Sequence, residues 1–230
     1  MNTNKTHIAT ILDDLFVAIP EGKVEMRDDR IEKKWSEAIP AFELAKFPVT
    51  QELYRLVIGE NPSVDQHPNK PVESVSWVDA VKFCNALSEL FDLTPCYTIV
   101  SESDITFDIS TNGYRLPTEA EWQYACQEGT NAIRYGELDA IAWYVENSGR
   151  ALQEVGQKTP NRWGLFDMLG NTWEWCSDVY DETVYGSYRV LRGGGWCDEE
   201  RSVMATTRRR SHPVAFKIDD LGFRIGRNGA

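Results

Sequence analysis

Leu165-Phe166-Asp167-Met168-Leu169-Gly170-Asn171-Thr172-Trp173-Glu174-Trp175 is the stretch on which the fold turns. It places two tryptophans, two acids, an amide and a glycine within eleven residues, where a plain core strand would alternate apolar and polar. Oxygen-bearing side chains at Asp167, Asn171 and Glu174, with the carbonyls of a glycine-containing bend between them, are the donors a hard cation such as calcium takes. The flanking indoles are large enough to shield such a site from water. The segment reads as a buried, ion-stabilised loop.

Upstream of it the chain carries helix signals. Phe42-Glu43-Leu44-Ala45-Lys46-Phe47-Pro48-Val49 alternates like a half-buried strand. Thr50 then caps a helix through Ile58 with Gly59 as its stop. Ser76 with Asp79, and Thr118 with Glu121, each have the spacing of a reciprocal helix cap. Ala80, Val81, Cys84, Leu87, Leu90 and Phe91 follow the first at helical spacing; Trp122, Ala125 and Cys126 follow the second. Before Phe42 the charged segment 1–41 is weakly patterned, with Ile8 to Phe16 a short helix or strand. It reads as an N-terminal extension packed on, or leading into, a domain spanning 42–230. Beyond Gly129, short aromatic and β-branched runs alternate with glycine, asparagine and proline, which predicts short strands and long loops. Two or three helices followed by irregular β structure make one α+β domain.

Composition narrows the function. The chain has 230 residues, 24 basic against 36 acidic side chains, and a formal net charge of −12. That balance opposes phosphate backbones, so no nucleic-acid partner is expected. Arg208-Arg209-Arg210 is the one basic run, either a local anion patch or a strand end paired with nearby acids. Met1 to Ile19 is interrupted by Asp13 and Asp14 and reads as neither secretion signal nor membrane span, so a cytoplasmic protein is expected. The five cysteines (Cys84, Cys96, Cys126, Cys176 and Cys197) form no CxxC pair and read as small buried hydrophobes rather than a disulfide scaffold.

Six strings then occur in order: Pro71 to Ala80, Phe83 to Ser88, Tyr114 to Trp122, Gly170 to Trp175, Arg192 to Trp196, and Leu221 to Arg224. Together they resemble the formylglycine-generating enzyme, or sulfatase-modifying factor, superfamily. The resemblance runs from about Phe42 to Ile225 and implies that family's variant C-type-lectin-like fold with bound calcium. It assigns the calcium ligands to Asp167, the carbonyls of Gly170 and Thr172, and Glu174. A second family ion would need an acid-glycine-aromatic string after Asn147, and Arg150 to Gly156 has none.

Catalytic members hold copper between two cysteines five positions apart, and soft thiolates are the ligands Cu(I) prefers. Here Cys197 stands alone, one place too near Trp196, with Ser202 five residues on. A copper oxidase is therefore not expected. An iron-dependent branch of the family carries a histidine motif; His7, His67 and His212 are scattered and make none, so iron is not expected either. A non-catalytic branch, the variable proteins of diversity-generating retroelements, binds ligands with its last few dozen residues, between a Gly-Gly-x-Trp and a Gly-Phe-Arg string. The matching segment runs from Cys197 to Asp220. It offers Cys197, Asp198, Glu199, Arg201, Ser202, Arg208, Arg210, His212, Phe216 and Lys217 as a surface for a protein or small-molecule ligand. The expected protein is a calcium-stabilised binding or accessory module. The alternative is an oxygen-dependent oxidase of a peptide or small-molecule thiol using Cys197. Trp173, Trp175 and Trp196 read as core, and Glu119 and Glu121 as parts of a helix cap.

Overall fold

The computed structural model describes residues 3–229. Helix α1 (Thr3–Asp13) leads into β1 (Phe16–Ile19), and a long hairpin follows, β2 (Gly22–Asp28) with β3 (Lys33–Ile39). Then come β4 (Phe42–Ala45), α2 (Gln51–Ile58), α3 (Trp77–Leu90), the hairpin β5 (Tyr97–Ser101) with β6 (Asp104–Phe107), and α4 (Glu119–Cys126). The second half holds two single helical turns, α5 (Leu138–Ile141) and α6 (Glu182–Tyr185), and strands β7 (Trp173–Val179), β8 (Arg189–Arg192), β9 (Arg209–Ser211), β10 (Leu221–Phe223) and β11 (Gly226–Asn228). This is the expected α+β fold, with α1 and the two short turns added to the helices foreseen.

The predicted caps form as spaced. The Thr50 hydroxyl accepts from Leu53 N and Gly59 closes α2 at φ 94°. Ser76 with Asp79, and Thr118 with Glu121, each complete a capping box. Each satisfies backbone donors that a helix start would otherwise leave open.

Two sheets organise the molecule. The three-stranded sheet runs β1-β4-β11, so the N-terminal segment and the C-terminus meet on opposite edges of β4. Ahead of β4, the described N-terminal residues contact the rest through β1 and through Ile8 in the core. The four-stranded sheet runs β10-β7-β8-β9, with β10 parallel to β7 and the other pairs antiparallel. One apolar cluster, containing Trp77, Phe83, Trp173, Trp175 and Phe223, fills one side; a second, containing Trp122, Met168, Leu169 and Val190, fills the other. Trp173 and Trp175 are core as expected, whereas Trp196 is partly exposed because its loop lies outside the sheet.

Candidate functional site

The stretch from Asp167 to Trp175 is fully enclosed. Gly170 has φ 74°, and a Cβ there would lie 2.3 Å from the Trp143 carbonyl oxygen, so only glycine fits. Asn171, also left-handed at φ 61°, accepts from Gln153 N at 2.9 Å and donates to Gln153 O at 3.1 Å. Its amide therefore stands in for a backbone pair and ties two loops together.

Glu174 is closed by other groups. Its Oε2 accepts from Arg224 Nε at 2.9 Å and from Trp122 Nε1 at 2.8 Å, and its Oε1 accepts from Arg224 Nη2 at 2.7 Å. The remaining guanidinium donors go to the carbonyls of Ala45 (3.0 Å), Lys46 (3.1 Å) and Phe166 (2.9 Å). All five Arg224 N–H groups are spent, and both ends of the pair are buried. Glu174, which the resemblance counts among four calcium ligands, thus has a guanidinium donor on each of its oxygens. Asp167 is different. Its Oδ2 accepts from Gly156 N at 2.7 Å, and its carboxyl is pushed up to about 6, first by burial and further by Glu174, against the opposing pull of Gly156 N and Arg224. Two carboxylates against one guanidinium leave this cluster with a surplus negative charge, so Asp167 is the donor that still fits a hard cation.

The sulfur chemistry is also legible. Cys84, Cys96, Cys126 and Cys176 are buried, and Cys197 is exposed. Cys197 Sγ donates to Asp220 Oδ2 at 3.2 Å. Its pKa is pushed up to about 12 by partial burial, then by Asp220 and Asp198. A thiol held protonated by two acids is a poor nucleophile and a poor metal ligand.

The segment from Cys197 to Asp220 does not form one uniform surface. Asp198 is an internal tie, its Oδ2 accepting from Trp173 Nε1 (2.6 Å) and Gly195 N (2.8 Å). Arg208 is likewise structural, bonding Glu119 through Nε at 2.6 Å and Nη2 at 2.8 Å, and Asp28 at 2.8 Å. Neither belongs to a free binding face, because each carries a partner inside the fold. Phe216 packs on the first core cluster, and Lys217 pairs with Asp79 at 2.6 Å. Glu199 and Arg201 pair with each other at 2.9 Å on the exposed tip, beside the turn that holds Ser202. His212 is exposed, its Nδ1 accepting from Val214 N and Ala215 N at 3.2 Å. The Arg210 guanidinium lies 3.8 Å over the Tyr185 ring, with no carboxylate.

Sequence reading missed three contributors to this end of the molecule: Tyr185, Tyr188 and Arg189. They precede the Gly-Gly-x-Trp mark, and only the tertiary fold returns them to β9, with Arg189 opposite Ser211 and the two tyrosines lining a cleft with Arg209 and Arg210. An arginine opening the apolar run Val190-Leu191 was the available signal. Glu119 and Glu121 do more than cap: Glu121 is bidentate to buried Arg115 (2.6 and 2.7 Å), and Glu119 serves Arg192 (3.1 Å) and Arg208. Among the described residues no helix is long and apolar enough to cross a membrane.

Comparison with known proteins places this geometry. A family model described as a sulfatase-modifying factor enzyme 1-like domain matches residues 8–229. The chaperone protein LppX of Paenibacillus barcinonensis is 32% identical, over 93% of this chain and 87% of that protein. The inactive C-alpha-formylglycine-generating enzyme 2 of Mus musculus is 27% identical, over 77% of this chain and 55% of that protein. Among solved structures, Treponema denticola variable protein 1 superposes with a TM-score of 0.86 at 31% identity, covering 93% of this chain and 95% of that one.

Proposed function

The chain belongs to the sulfatase-modifying factor enzyme 1-like family, and from that premise we propose that it is a binding or accessory module rather than an oxidase. We place its recognition surface at the end of the molecule built from the C-terminal segment. The observation that carries this reading is the state of Cys197: one exposed thiol, held protonated against Asp220, with Ser202 where a second copper ligand would stand. Two-coordinate thiolate binding of Cu(I) cannot be assembled from one suppressed thiol. The likeness to a variable protein, to an inactive formylglycine-generating relative and to a chaperone supports the same class of role. A retroelement variable protein is the specific form we favour. A near-identical template repeat beside the gene, differing at adenines, is its expected genomic mark.

The deciding measurement is copper and oxygen chemistry on the purified protein. Titration with Cu(I) should give no stoichiometric complex, and a cysteine-containing peptide should drive no oxygen uptake above buffer. One equivalent of tightly held copper, or oxygen uptake abolished by Cys197→Ser, overturns the proposal in favour of the oxidase.

We also propose calcium at Asp167, now without Glu174 as a ligand. The support is the surplus buried charge, which a divalent cation would offset while holding Asp167 ionised. Chelation should lower the Tm of the unaltered protein and leave Asp167→Asn unmoved. An unchanged Tm on chelation would mean that Arg224 alone balances the loop.

A further inference from the structure

Arginines in the interior of this acidic protein are held by carboxylates: Arg115 by Glu121, Arg192 and Arg208 by Glu119, Arg224 by Glu174. Half-buried Arg189 and Arg210 break the pattern, and exposed Arg209 beside them is equally unpaired. Among the described residues none of the three has a carboxylate within ion-pair distance, and all three lie on the β8–β9 pair. Arg189 is stacked 3.9 Å from the Trp77 ring, donates from Nη1 to Ser177 O at 2.7 Å, and has a buried Nε with no partner.

Register decides where the other two point. Arg209 is opposite Leu191, which belongs to the first core cluster, and Arg210 is opposite Val190, which belongs to the second. Neighbours in a strand face opposite sides of the sheet. Arg209 accordingly lies 5.1 Å over Trp173, and Arg210 lies over Tyr185 and, at 5.1 Å, over Tyr180. Both still reach the edge, where they share a cleft with Val184, Tyr185 and Tyr188. Strand β9 is the outermost of its sheet, and among the described residues its backbone bonds only to β8. Stacking on a ring occupies a guanidinium's face and leaves its in-plane N–H donors free for a carboxylate.

We propose that an extended acidic segment of a partner polypeptide adds to the outer edge of β9, with successive carboxylates meeting Arg209 on one face and Arg210 on the other. This rests on the binding-module reading and specifies its partner. Strand addition supplies backbone hydrogen bonds and sends consecutive side chains to opposite faces, so a pair of adjacent acids is what this edge selects. Arg189, one strand inward on the Arg209 face, extends the positive potential. A nucleic-acid backbone would run on past the patch across a protein of net charge −12. Glu102 lines a neighbouring cleft with Arg189 and is engaged by Lys82 at 2.9 Å.

Fluorescence anisotropy tests it, with a labelled peptide carrying a central Val-Glu-Glu-Val and the same peptide with glutamines. The intact protein should bind the glutamate peptide and discriminate against the glutamine one. Arg209→Glu and Arg210→Glu should each weaken binding by about tenfold, with Lys34→Glu, exposed on the β2–β3 hairpin, unchanged and all Tm values preserved. Three results overturn it: equal affinity for both peptides; displacement by inorganic phosphate or a single-stranded oligonucleotide better than by unlabelled peptide; or no peptide binding while Arg209→Ala/Arg210→Ala self-associates, which would make the arginines mere guards of the edge. If a partner's footprint still falls between Cys197 and Asp220, these failures leave the binding-module reading standing. Copper-dependent oxygen uptake would remove that reading without touching the peptide result.

Discussion

Arg224 and Arg210 stand at opposite margins of one four-stranded sheet, just after β10 and on β9, and they have opposite fates. Arg224 is fully buried, with five donors spent on Glu174 and three carbonyls. Arg210 lies over two tyrosines at the surface and holds no carboxylate. A guanidinium taken out of water must recover its hydration from fixed oxygens, whereas one at an edge keeps water and stays available. The comparison separates arginines that hold the fold from arginines with no carboxylate of their own.

The sharpest way to break it is Arg224→Met. Leaving Glu174 buried and uncompensated should cost about 3–5 kcal/mol in urea unfolding, and Arg224→Met/Glu174→Gln should regain part of that loss. A single-variant cost near zero would end the claim that this pair anchors the loop.

Asp167 gives the next largest effect, measured in chelator. Its folded pKa of about 6 lies above the ordinary 3.8, so folding binds the proton more tightly. Its favourable contribution is complete below about pH 4 and is lost as pH rises through about 6. Relative to Asp167→Asn, the protein should therefore lose roughly 3 kcal/mol between those limits. Added calcium should narrow the gap, and a gap that does not move with pH would show that Asp167 is not buried beside Glu174.

Thr118→Ala should cost about 1 kcal/mol by opening the cap that Glu121 shares with Arg115, read as a lowered Tm. Smallest is Arg210→Ala, expected to change stability by under about 1 kcal/mol, since only exposed stacking is lost. A large destabilisation there would place Arg210 with Arg224 and remove the distinction.

Much of the first half was readable because its signals are local. Thr50, Ser76 and Thr118 cap as spaced, since a cap bonds within three residues of itself. The partner of Glu174 was not legible for the opposite reason: Arg224 lies fifty positions away, and no local pattern says which cation an acid will meet. Asp198 and Arg208 looked like surface residues for the same cause, their partners being Trp173 and Glu119. Tyr185, Tyr188 and Arg189 were passed over because strand pairing, not adjacency, brings them to β9.

By itself the sequence determined the α+β class, the helix starts, the six ordered strings of the family and the want of a second cysteine, because each is set by neighbours in the chain or by composition. Only the tertiary structure decided which charges are spent. Ion pairing in a core depends on which distant groups share one water-excluded volume. That is why the acid at 174 became an anchor for an arginine, and why the arginines at 209 and 210 were left open.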